Sequence, residues 1–106
     1  MSSELDPRIQ TCHNIICNLK ASLDGAVRCL EVAIDLEEDS PGEVGLAALH
    51  LGNQTVQGYN AMLQGAAYAL LHHLGDPLWK EICEREQNDP KAFEVGAKMI
   101  RKQLWA

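Results

Sequence analysis

A chain of 106 residues has room for one domain, and 46% hydrophobic with 23% charged residues excludes a disordered polymer. Nine Lys and Arg stand against fifteen Asp and Glu, a net charge of −6, so no surplus of cations is available for nucleic-acid phosphate or anionic lipid. One domain over residues 1–106 is expected, with no direct nucleic-acid binding and no membrane attachment.

The N-terminal run MSSELDPRIQ lacks the basic and apolar regions of a secretory signal. The four cysteines, Cys12, Cys17, Cys29 and Cys83, contain no CxxC. Free thiols and a cytoplasmic location are the expectation. All four prolines follow a residue suited to cap a helix: Asp6-Pro7, Ser40-Pro41, Asp76-Pro77 and Asp89-Pro90. Proline fits the first helical position because its missing N–H would have no partner there, and Asp or Ser accepts from the free amides of the first turn. Four helices follow, near 7–38, 41–74, 77–87 and 90–104. Ser40-Pro41-Gly42-Glu43 has capping-box spacing, and Gly75 stands where a helix ends on a left-handed glycine.

In the first helix, Ile9, Cys12, Ile16, Leu19, Leu23, Ala26, Leu30 and Ala33 step alternately by three and four, a heptad seam that continues through Gly25. His13, Cys17, Lys20, Asp24, Arg28, Glu31 and Asp35 fall on the opposite face. The inward Cys12 and Cys83 read as small core residues, and Cys29, at the edge of the seam, takes the same reading. From Glu31 to Glu43 the chain holds six acids and no base. This reads as a solvated turn, or as a docking patch for a basic surface.

The second helix has no Asp, Glu, Lys or Arg between residues 44 and 75. Its polar residues, among them His50, Asn53, Gln57 and His72, argue against a membrane span. Two apolar stripes lie side by side on it, one with Leu51, Met62 and Ala69, the other with Leu49, Val56, Leu63 and Leu70. Gly45, Gly52, Gly58 and Gly65 cost helix propensity, so close approach of a neighbouring backbone is expected in return. Asn53, Gln57, Asn60 and Gln64 form an uncharged amide stripe. Amides tolerate burial better than Lys or Glu, so this stripe suits a partner contact.

The linker between the two long helices permits only an antiparallel hairpin. The two short helices offer Leu78, Trp79, Ile82, Phe93, Ala97, Ile100 and Leu104 to cover it, which is too little. The fold expected is therefore all-α: a long hairpin plus two short C-terminal helices, dimerising into a four-helix-bundle core through Leu49, Val56, Leu63 and Leu70. Trp79 reads as core. Trp105, one residue from the end, reads as a candidate anchor for a partner beside the amides.

Signals for chemistry are few. His13 and Cys17 are spaced i,i+4 and could offer two ligands to zinc, with His72 or His73 as further candidates, but no second pair has ligand spacing. There is no nucleophile motif and no phosphate loop. No enzyme activity, cofactor or metal is expected.

In size, acidity, the hairpin Pro7–Leu74 and the charge-free second helix, the chain resembles the small acidic all-α anti-activators of bacterial quorum sensing. That resemblance implies a regulator that binds a LuxR-type transcription factor and blocks its dimerisation or DNA binding. Two other readings stay open: a metal- or cofactor-binding helical bundle, and a structural or chaperone subunit of a larger complex.

Overall fold

The computed structural model describes residues 6–39, 42–84 and 89–105. Four helices follow one another: α1 (Pro7–Asp39), α2 (Glu43–Leu74), α3 (Leu78–Glu84) and α4 (Pro90–Leu104), with no strand among the described residues. The expected start at Ser40-Pro41 and the end of the third helix at residues 85–87 lie outside the described residues. The molecule measures 59 × 27 × 22 Å, its length set by the two long helices at about 1.5 Å per residue.

Asp and Pro start the helices as their chemistry requires. Asp6 accepts from the Arg8 amide at 2.9 Å, Asp76 from the Leu78 amide at 2.9 Å, and Asp89 from the Ala92 amide at 3.1 Å. Gly75 closes α2 in the left-handed region at φ 73°, its amide donating to the His72 carbonyl. That conformation is cheap for glycine and costly for any residue with a Cβ.

The heptad seam of α1 has the expected phase. Cys12, Leu19, Ala26 and Ala33 are buried, Ile9, Ile16, Leu23 and Leu30 are half-buried, and all seven residues of the opposite face are exposed. Cys29 differs: its side chain is exposed. It sits one position beyond the seam, on a stretch of α1 that only α2 covers.

The core occupies one end of the hairpin. Cys12 and Leu19 from α1, Ala66, Ala69 and Leu70 from α2, and Ala97, Ile100 and Leu104 from α4 form one buried cluster. Two glycines let α2 and α4 meet backbone to backbone. A Cβ on Gly65 would stand 2.7 Å from the Phe93 carbonyl carbon, and one on Gly96 would stand 2.7 Å from the Met62 carbonyl carbon. Gly52 plays a lesser version of this part against Leu30 of α1, 2.9 Å from its Cδ1. Gly58 has open space where a Cβ would be. Close backbone approach thus accounts for Gly65; at Gly52 the Leu30 backbone stands at an ordinary 3.6 Å, and Gly58 meets nothing.

Aromatic rings tie α3 to this end. Tyr68 packs against Phe93, His72 and Trp79 with ring centroids 5.5–6.0 Å apart, and His72 meets Trp79 edge-on at 5.0 Å. Trp79, expected in the core, is half-buried in this ring cluster and outside the buried core, and Leu78 is exposed.

Candidate interaction surfaces

The turn end of the hairpin consists of α1 and α2 alone, and it leaves large apolar side chains in water. Val32, Leu36, Leu46 and Leu51 are 58–64% exposed, and Ile34 is also exposed. Single exposed leucines are ordinary, but Val32, Leu36 and Leu51 fall on the side of the hairpin that α4 occupies further along and form a patch, whereas Ile34 and Leu46 fall on the opposite flank. The patch follows from the position of α4. At the other end of the hairpin α4 covers the groove between the long helices, with Gly65 of α2 beneath it and Arg8 and Cys12 of α1 beside it. The Arg8 guanidinium donates to the Leu104 carbonyl at 2.8 Å, and the Cys12 thiol lies 3.9 Å from the Ile100 carbonyl. Continuing the same faces by heptads leads to Gly58 and Leu51 on α2, and through Ile15 to Cys29 and Leu36 on α1. No α4 lies over that continuation.

The line Leu49, Val56, Leu63 and Leu70 lies elsewhere. It shares a face with Gly52, which meets Leu30. Leu70 is in the core cluster, Leu63 packs against it, and Leu49 and Val56 are half-buried. The chain's own α1 covers this stripe, so the apolar surface left free on α2 is one step round the helix, at Leu51.

Among the amides, Asn53, Gln57 and Asn60 are exposed and Gln64 is half-buried. Leu46 stands one heptad before Asn53 and extends the stripe with an apolar side chain. Trp105 is 70% exposed. It borders an open groove of about 950 Å³ on the outer face of α4, lined also by Val95, Met99, Lys98, Arg101 and Lys102. None of the four amides lines that groove, so the structure does not join them to Trp105 in one site.

Charge divides along the long axis. No Lys or Arg occurs between Arg28 and Lys80. The turn end carries Glu31, Asp35, Glu37, Glu38, Asp39 and Glu43. Helix α4 carries Lys91, Lys98, Arg101 and Lys102 against one acid, Glu94, which pairs with Arg101 at 3.0 Å. Lys98 and Lys102 have no carboxylate partner among the described residues. Sequence reasoning noted the acidic run but missed its basic counterpart. The signal was available: four of the nine cations fall within the last helix.

The residues considered for chemistry do not converge. His13 Nδ1 and Cys17 Sγ are 3.8 Å apart on the exposed face of α1, and no group of three His, Cys, Asp or Glu able to hold a metal exists among the described residues. His72 belongs to the aromatic cluster with Tyr68 and Trp79. The Cys83 side chain lies outside the described residues. Asp6 titrates below the usual carboxylate range because Arg8 donates to it, and burial pushes the Cys12 thiol up. Neither group faces a cleft. No helix among the described residues is long and apolar enough to cross a membrane. The chain matches no protein-family model, no curated protein and no solved structure.

Proposed function

We propose that this chain is a non-enzymatic regulatory protein that binds and inhibits a protein partner, a transcriptional activator of the LuxR type. In the same reading it works as a homodimer whose hairpins complete a four-helix core. The observation that carries the reading is the apolar patch at the turn end, where Val32, Leu36 and Leu51 stand exposed and α2 carries no charged residue from position 44 to its end. A surface of this kind gains most from burial against another protein. The amide stripe, extended by Leu46, supplies donors and acceptors on the other flank of α2, and uncharged amides lose their water at lower cost than Lys or Glu.

The test measures a LuxR-type activator binding its DNA site, by fluorescence anisotropy, with and without this protein. The activator should leave its site as the protein is added. Gln57→Glu and Asn60→Asp keep the side-chain shape and add one charge each on the exposed face. Each should weaken inhibition by roughly tenfold, about 1.4 kcal/mol, with the melting temperature nearly unchanged. An activator that holds its DNA at saturating protein would refute the inhibitor reading. Full inhibition by both variants would move the contact off the amide stripe.

A further inference from the structure

The exposed patch and the charge division together specify an orientation for the pairing. We infer that two copies pair antiparallel, with the acidic, apolar turn end of each seated against the basic α4 of the other. The inference rests on the pairing proposed above and adds its surfaces and direction.

Three observations support it. First, the two ends are complementary in charge. The turn end gathers six acids with no base, and α4 presents four cations to one acid. In a parallel pair the acidic turns would meet and repel, whereas in an antiparallel pair each meets the opposite sign. Second, both ends expose apolar side chains among those charges: Val32, Leu36 and Leu51 at the turn, Val95, Met99 and Trp105 on α4. Charged residues surrounding an apolar centre is the anatomy of a protein interface. Third, both surfaces lie on one side of the hairpin. Leu36 is four heptads from Arg8 and three from Ile15, on the face of α1 turned toward α4, and Leu51 is two heptads from Gly65, which α4 crosses. One twofold axis across the long direction therefore brings both end contacts together at once, as a closed isologous dimer requires. The stretch between the two contacts includes Gly58 and Thr55 and carries no charge on α2, so nothing there opposes close approach.

The experiment combines light scattering with zero-length carboxyl–amine cross-linking of the full chain. At micromolar concentration the wild type should scatter as twice 11.7 kDa, and raised salt should weaken the pairing. Cross-linked peptides should join residues 35–39 to Lys98 or Lys102. Within one copy Gly96 packs on Met62, nineteen residues of α2 beyond Glu43 at the turn and roughly 28 Å of helix away, so zero-length links of this kind arise only between copies. Lys98→Glu with Lys102→Glu, and separately Asp35→Lys with Asp39→Lys, should each raise the dimer dissociation constant by roughly tenfold or more. All four positions are exposed, and helicity by circular dichroism verifies that each variant folds. Mixing the two variants should restore association, because opposite signs then face each other at both contacts, as in the wild type at one and reversed at the other. A monomer at every concentration would overturn both this inference and the pairing proposed above, while leaving activator binding to its own test. A dimer that ignores both charge reversals and yields no such cross-links would overturn the antiparallel arrangement alone.

Discussion

Gly65 and Gly96 show how a single missing side chain sets the position of a helix. Each stands against the other helix's backbone, where a Cβ would come within 2.7 Å of a carbonyl carbon. Gly65→Ala should therefore destabilise the protein by roughly 1–3 kcal/mol despite the better helix propensity of alanine, because two backbones must separate. Gly25, with nothing within 4 Å of its Cβ position, is the control. Gly25→Ala should gain about 0.5–1 kcal/mol from propensity alone. Thermal melts of the two variants, taken beside the wild type, check both signs. Equal and small effects would mean that α4 can slide along α2 at little cost.

At the scale of the element, α4 is held at both ends by named groups. Its N-terminus is capped by the Asp89 carboxylate, with Pro90 following, and its C-terminal carbonyl at Leu104 accepts from Arg8 at 2.8 Å. A cation at a helix C-terminus also opposes the helix dipole favourably. Asp89→Ala should cost about 1 kcal/mol by removing the cap. Because α4 supplies Ala97, Ile100 and Leu104 to the core, the loss should appear in global unfolding by denaturant, with a lower midpoint and an unchanged slope. A reduced slope would instead indicate that α4 frays separately from the hairpin.

On the scale of the whole molecule, the hairpin is occupied at one end only. Its open end is a three-helix core, and its turn end is two helices with exposed leucines. Local stability should follow that division. In dilute solution, amides of residues 28–50 should exchange with deuterium faster than those of residues 61–72, read by mass spectrometry of peptides. Raising the protein concentration should slow exchange at the turn end and along α4, and leave residues 61–72 of α2 unchanged, since pairing covers the first two. Uniform protection along both long helices in dilute solution would show that the hairpin needs no further cover.

The sequence by itself determined the helices and their phase. Asp-Pro pairs and Gly75 act through local hydrogen bonds and backbone geometry, so they are legible residue by residue. The α1 seam was legible for the same reason, since burial recurs with helix period wherever one long neighbour lies alongside. The shortage of cover on the hairpin was visible too, as an excess of apolar positions over what two short helices could hide. How much of each α2 stripe is covered was decided by the tertiary structure. Both stripes are apolar; α1 lies along the one that holds Leu70, and the docking of α4 over Gly65 buries Ala69 of the other while leaving Leu51 of that same stripe in solvent. The same docking fixed the exposure of Cys29 and separated Trp105 from the amides. Contacts of this kind join residues 28 or more positions apart, and no local pattern encodes which pair of glycines a helix will choose to cross.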